Sequence, residues 1–195
     1  MKLANLNYLN AMTEKDFLNI VLQAAGKHPS NHSDEPSQFR MAWASGERWE
    51  TMAQVAVHYH LSRLAGVTDL DRETPYSEGS RKEADISFSF QNETYAIELK
   101  VESPATNQYG GHDLEDAIRM DVEKLTKFKA DHRWMVVVAF SPSHRLTLAM
   151  AAEWENSLFY DFEDDFAVFL CNVDTYPHGL PFQFSNSIRR ADTSD

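Results

Sequence analysis

The chain has 195 residues, 43% of them hydrophobic, which is enough apolar material for a folded core and excludes disorder as its main state. Its 30 acidic residues outnumber its 18 Lys and Arg residues, and the net charge of −12 argues against a polybasic nucleic-acid-binding protein. An enzyme with a local basic groove remains compatible with that charge. The single cysteine, Cys171, excludes an intrachain disulfide framework and a cysteine-rich zinc site, so we expect a reducing, cytoplasmic location. We expect neither a secretory signal nor a membrane span, because no apolar run is long enough.

The first third of the chain predicts two helices separated by a loop. Thr13 is a good N-cap, and apolar residues then recur at helical spacing as far as Gly26. Residues 27–38 hold two prolines and many turn formers, which indicates an exposed loop or a linker. A second amphipathic helix is predicted over residues 46–65. We therefore expect an N-terminal helical extension and linker over residues 1–38, a main domain over 39–180 and a C-terminal tail over 181–195.

The middle of the chain predicts a β-hairpin. Apolar and polar residues alternate over residues 84–90 and again over 95–102, which is the period of two that strands show. We expect Phe90 to lie opposite Tyr95, with a two-residue turn at Asn92 and Glu93. In that register the opposed pairs are Phe88 with Ile97, Ile86 with Leu99, and Asp85 with Lys100.

The remaining elements predict an α/β fold. A short strand is expected within residues 67–83, before the hairpin. Helices are predicted over residues 113–129 and 144–156, and strands buried on both faces over 134–140 and 166–173. This order of helices and strands indicates a mixed central sheet flanked by helices.

We expect three charged side chains of the hairpin to form a catalytic site. Asp85, Glu98 and Lys100 fall on the face opposite the apolar residues, where opposed Cβ atoms lie about 4.5–5.5 Å apart and diagonal ones about 7–8 Å. Two carboxylates at that spacing can share one divalent cation, and oxygen ligands favour Mg²⁺ or Mn²⁺ over zinc. A lysine beside them can hold or deprotonate the attacking water, provided that desolvation brings its pKa toward neutrality. These ingredients suit phosphodiester hydrolysis.

This pattern resembles a known superfamily. Asp85, twelve intervening residues and then Glu98-Leu99-Lys100 is similar to the core of the PD-(D/E)xK nucleases, which have the restriction-endonuclease-like fold. The triplet is the only acidic-x-Lys sequence in the chain, and the resemblance covers about residues 46–173. Ala84 stands where the superfamily has its proline, a common relaxation.

The resemblance implies a role for each residue. Asp85 and Glu98 are the expected metal ligands for Mg²⁺ or Mn²⁺, the backbone carbonyl of Leu99 adds a ligand, and Lys100 is the expected catalytic lysine. Members often add a glutamate from the preceding helix, for which Glu50 is our choice and Glu47 the alternative. Basic residues of the following helix also lie near the phosphate in some members, and Arg119 and Lys124 are the candidates here.

The sequence therefore favours a metal-dependent nuclease of the restriction-endonuclease-like class, with DNA as the expected polymer. A protein partner or a homodimer is expected to aid substrate binding, because basic residues on the helix after the hairpin are interspersed with acidic ones. The alternative is a non-catalytic protein that keeps the fold, such as an inhibitor or an accessory subunit, since an acidic surface suits a basic partner. A third interpretation is an α/β structural subunit, in which Asp85 and Lys100 form an ordinary cross-strand ion pair on an exposed sheet face. The choice between DNA and RNA, the cleavage specificity and the biological pathway stay open.

Overall fold

The computed structural model describes residues 11–27, 35–46, 49–75, 83–103, 114–152, 157–162 and 165–175. Within these residues the chain forms five helices and six strands. In chain order they are α1 (Glu14–Ala24), α2 (Gln38–Ser45), α3 (Trp49–Ser62), β1 (Val67–Pro75), β2 (Glu83–Phe90), β3 (Glu93–Val101), α4 (Leu114–Leu125), β4 (His132–Ala139), α5 (Pro142–Ala151), β5 (Ser157–Phe162) and β6 (Phe166–Asn172). None of the helices in these ranges has the length and hydropathy needed to cross a bilayer.

The strands form one mixed sheet in the order β1-β2-β3-β4-β6-β5. Strands β3 and β4 are parallel, with α4 in the connection between them, and the other neighbouring strands are antiparallel. Parallel neighbours need a long crossover connection, and a helix is its usual form. The predicted α/β class, with a mixed sheet flanked by helices, is confirmed.

The predicted register of the β2–β3 hairpin is wrong by two residues. Ile86 pairs with Ile97 and Phe88 with Tyr95, because the two-residue turn lies at Gln91 and Asn92. Both turn residues have positive φ values, 52° and 67°, which a tight hairpin turn requires at its two central positions. Because side chains alternate with a period of two, a two-residue shift leaves every side chain on its predicted face.

Two apolar cores lie on opposite faces of the sheet. The larger one joins the sheet to helices α1 and α3, and the smaller one joins it to α4 and α5. Helix α1, assigned from the sequence to an N-terminal extension, belongs to the larger core: its Phe17 is fully buried, and its ring centroid lies 5.3 Å from that of Trp134. The buried position predicted for Cys171 is also confirmed.

A buried ion pair also ties the N-terminal part to the sheet. Asp165, just before β6, accepts hydrogen bonds from the Ser37 N–H at 2.7 Å and the Ser37 hydroxyl at 2.8 Å. Its carboxylate also lies 3.0 Å from Nζ of Lys27, which follows α1. All three residues are buried, and the ion pair links the end of α1 and the start of α2 to the sheet.

Several elements differ from the predictions. No helix was predicted where α2 lies. Ser37 caps this helix, and Gly46 ends it with a φ of 75°. Strand β5 was also not predicted, and residues 157–162 begin just after the predicted end of the preceding helix at 156. Helix α5 begins earlier than predicted, because Ser141 caps it and Pro142 occupies its first turn. The predicted tail over 181–195 lies outside the described residues.

Candidate active site

Asp85 and Glu98 form a carboxyl pair at one end of the hairpin. Asp85 lies one residue before Ile86 on β2 and Glu98 one residue after Ile97 on β3, so they lie next to the last β2–β3 pair, Ile86 with Ile97, and they share a side-chain hydrogen bond. The Leu99 N–H donates to Oδ2 of Asp85 at 2.8 Å. Because the N–H and C=O of one strand residue point to the same edge, the Leu99 carbonyl also faces β2. The structure thus brings the two expected metal ligands together.

Burial governs the electrostatics of this pair. Glu98 is 5% exposed, and burial raises the pKa of the Asp85 carboxyl above its usual range. The Leu99 N–H and Lys100 lower the pKa of Asp85, but they do not offset desolvation. The folded chain therefore disfavours two negative charges at this position when no cation is bound.

Lys100 lies between carboxylates from two helices. Its Nζ is 2.8 Å from Oδ2 of Asp121 on α4 and 3.6 Å from Oε1 of Glu50 in the first turn of α3. Burial lowers the pKa of Lys100, but the charges of Glu50, Asp121 and Asp85 raise it above its ordinary value overall. A pKa brought toward neutrality was the condition for Lys100 to remove a proton from water, and these carboxylates act against that condition by favouring the ammonium form.

Glu50 is the glutamate that α3 brings to the site. Burial raises its pKa to about 7, and the charges of Asp85 and Asp121 add to that effect, while Lys100 and a hydrogen bond from the Val101 backbone oppose it. The predicted alternative, Glu47, lies outside the described residues.

Asp121 is the residue that sequence reasoning missed. In the sequence it is one of the acidic residues interspersed with basic ones on this helix, but in the structure it is 5% exposed and contacts both Lys100 and Lys124. The signal was present in the spacing, since Asp121 lies three residues after Ile118 and seven after Leu114, on the buried face of α4. A charged residue on an apolar stripe is costly unless it has partners.

The two basic candidates of α4 are both engaged with aspartates one turn earlier. Lys124 pairs with Asp121 and so touches the site through it. Arg119 pairs with Asp116 on the solvent side of the helix, where both side chains are largely exposed. Of the two, only Lys124 is brought to the site.

Glu102, two residues after Lys100, serves the fold instead. Its Oε2 accepts from the N–H groups of Phe140 and Ser141 at 2.5 and 2.7 Å, and its Oε1 lies 3.1 Å from Nδ1 of His144. Burial raises the pKa of Glu102, but the hydrogen bonds from His144, Ser141 and Phe140 outweigh it and hold the pKa at about 2. Glu102 thereby joins the end of β3 to the start of α5.

The donor set fits a hard divalent cation. Four carboxyl groups (Glu50, Asp85, Glu98 and Asp121) meet two ammonium groups (Lys100 and Lys124), so two negative charges remain unbalanced when all are ionised. In the described part of the chain, no three His, Cys, Asp or Glu side chains are already spaced to hold a metal ion. A site built on Asp85, Glu98 and the Leu99 carbonyl has two carboxylates and one backbone oxygen, which is a set that Mg²⁺ accepts with waters completing its shell.

We expect Glu50 to make the metal-free protein less stable as the pH rises. Its pKa is about 7 in the folded chain against an ordinary value of 4.5, so its contribution to the free energy of unfolding is fully present below pH 4.5 and is lost as the pH passes 7. Because 35% of the side chain is exposed, solvent screening reduces the expected loss to about 1–2 kcal/mol. Urea unfolding in EDTA across this range measures the fall, and Glu50→Gln should reduce it.

Glu123→Gln is the matched control, since Glu123 is exposed on α4. Its free energy of unfolding should follow the wild-type pH dependence. An equal fall in the wild type and in Glu50→Gln would show that Glu50 is not held in an unfavourable environment.

Comparisons with known proteins do not add to this geometry. No protein-family model matches the chain, and neither a curated protein nor a solved structure matches it.

Proposed function

We propose that this protein is a metal-dependent nuclease that hydrolyses phosphodiester bonds, with DNA as the expected polymer. The observation that carries the proposal is the carboxyl pair Asp85–Glu98 on two neighbouring strands, with the charged Lys100 beside it. Buried groups whose pKa values are displaced by burial and by specific neighbours are typical of functional sites.

The order of elements supports the finer assignment to the restriction-endonuclease-like fold. Helix α3 precedes the strands that carry Asp85, Glu98 and Lys100, and α4 then leads to β4, which lies parallel to β3. This agrees with the order that the resemblance to PD-(D/E)xK nucleases implies, with a helix before the hairpin and a helix and strand after it.

Each residue has a distinct task in this proposal. Asp85, Glu98 and the Leu99 carbonyl would hold Mg²⁺ or Mn²⁺, which, when bound, neutralises the phosphate and makes water a better nucleophile. Lys100, whose ammonium contacts Glu50 and Asp121, would orient the attacking water and offset negative charge on the phosphate. Glu50 helps to hold the Lys100 ammonium in place.

The test uses the full chain with supercoiled DNA, linear DNA and RNA, each with Mg²⁺, with Mn²⁺ and with EDTA. We expect cleavage only with a divalent ion, and titration calorimetry should show metal binding that Asp85→Asn removes. Asp116→Asn removes an exposed carboxylate from α4 and is the control. No cleavage of any polymer together with a flat metal titration would refute the proposal.

A second candidate function is a non-catalytic protein that binds a basic partner. It is favoured by the pairing of Lys100, Lys124 and Arg119 with aspartates, which leaves these cations poorly placed to attract nucleic acid. A flat metal titration combined with nanomolar binding of a basic protein would favour this function. Under the nuclease proposal, the same pairing implies that a protein partner or a second subunit adds affinity for DNA, and we propose a cytoplasmic location for either function.

A further inference from the structure

Asp121 occupies a costly position for a carboxylate. It lies on the face of α4 that also buries Leu114, Ile118 and Leu125, and its side chain is 7% exposed. Burying a charge among apolar groups is strongly unfavourable unless opposite charges and hydrogen bonds compensate. The contacts of Asp121 therefore indicate what keeps it there.

Both carboxylate oxygens of Asp121 contact ammonium groups. Oδ2 lies 2.8 Å from Nζ of Lys100, and Oδ1 accepts from Nζ of Lys124. The contact with Lys100 reaches from α4 to β3, so it crosses between two elements. Glu50 touches the same ammonium from α3 at the longer distance of 3.6 Å.

An exposed pair on the same helix shows how Asp121 differs from an ordinary helical ion pair. Asp116 and Arg119 have the same three-residue spacing as Asp121 and Lys124, but their side chains are 42% and 51% exposed and their contact stays within α4. Such surface pairs contribute little to stability. Asp121 adds to that spacing a buried contact with Lys100.

We propose that Asp121 is a positioning residue for the hydrolysis, and that it acts by fixing the Lys100 ammonium next to the Asp85–Glu98 pair. This inference rests on the proposed function. A lysine side chain has about 2 kcal/mol of rotamer entropy, and an ammonium that is already fixed loses little of it when the reaction proceeds. Asp121 on α4 thus holds the otherwise flexible Lys100 side chain on β3 in one position before the reaction begins.

The first test separates positioning from folding and from binding. Asp121→Asn keeps the size of the side chain, so we expect it to lower kcat by about 10²-fold, the loss that a small displacement of a reacting group causes. KM for DNA and the affinity for Mn²⁺, measured by calorimetry, should stay within about three-fold of the wild type, since in this proposal Asp121 holds Lys100 and is not itself a metal ligand. Asp116→Asn is the control and should keep the wild-type kcat.

A double-mutant cycle shows whether Asp121 acts through Lys100. In the Lys100→Gln background, Asp121→Asn should lower kcat no further, because the group that it positions is already gone. If the two substitutions instead lower kcat by independent factors that multiply in the double variant, the inference is overturned and the nuclease proposal stays in place.

The third measurement does not depend on activity. Nitrogen-15 NMR of lysine ammonium groups detects those protected from exchange with water. We expect a protected signal from Lys100, which is identified because it disappears in Lys100→Gln. This signal should be lost or broadened in Asp121→Asn and should persist in Asp116→Asn. A protected Lys100 signal that survives in Asp121→Asn would overturn the inference, whether or not the chain cleaves DNA.

Discussion

Asp85→Asn and Lys100→Gln should each lower Mg²⁺-dependent DNA cleavage by about 10³-fold. The first removes the charge of an expected metal ligand, and the second removes the cation that we propose to face the reacting phosphate. Deleting one preorganised electrostatic group of this kind costs about 10²–10³-fold in kcat, and losing the metal adds to that for Asp85. Initial rates on a labelled DNA fragment at saturating Mg²⁺ measure both effects.

The same variants show that function and stability oppose each other at this site. Burial raises the pKa of Asp85, so the neutral amide of Asp85→Asn suits the metal-free fold better than the carboxylate does. We therefore expect its melting temperature in EDTA to equal or exceed that of the wild type while cleavage is lost. Lys15→Met, which removes an exposed lysine of α1, is the control for Lys100→Gln and should cleave normally. Undiminished cleavage by both site variants would exclude the three-residue site.

Local patterns predicted which face the site residues share but not their pairing. Alternation over the hairpin placed Asp85, Glu98 and Lys100 on one side, and that arrangement survives any register error of two residues. The register depended on where the chain turns, and Gln91 gave no signal, because glutamine at positive φ is uncommon. With the observed turn, Asp85 meets Glu98 rather than Lys100, which produces a carboxyl pair instead of a simple ion pair.

The partners of Lys100 depend on tertiary structure, so the sequence alone could not provide them. Asp121 and Glu50 lie 21 and 50 residues from Lys100 in the chain, on two different helices. Without those carboxylates, burial alone would lower the pKa of Lys100, which is the condition that proton removal by this lysine requires. The three-residue and seven-residue spacings from Ile118 and Leu114 placed Asp121 on the apolar face of α4, but spacing does not say which residue lies across from it.

The sequence predicted helix α1 but not its place in the core, for a related reason. Thr13 as an N-cap and the apolar stripe predicted the helix itself, and the structure shows that Thr13 and Asp16 form a capping box. The loop that follows it suggested a separable extension. Whether a helix stands apart depends on the surface that it covers, and in this chain that surface is the large apolar face of the sheet, including Phe88 and Trp134.

We expect a chain that begins at residue 39, the predicted start of the main domain, to fail to fold. Removing α1 uncovers the core beneath it and deletes five large buried side chains: Phe17, Leu18, Ile20, Val21 and Leu22. At about 1.5–3 kcal/mol each, their burial contributes about 7–15 kcal/mol, which equals the whole stability of a typical domain, about 5–15 kcal/mol. Circular dichroism during urea titration should show no cooperative transition for the truncated chain.

Two point variants make the same test without shortening the chain. Phe17→Ala should lower the free energy of unfolding by about 3–5 kcal/mol, because the ring is fully buried against Phe88 and Trp134 and its removal leaves a cavity. Lys15→Ala changes an exposed position of the same helix and should alter stability by less than about 0.5 kcal/mol. A cooperative transition in the truncated chain, together with a small loss in Phe17→Ala, would instead restore the predicted boundary at residue 38. It would also mean that α3 and the sheet form a stable core without α1.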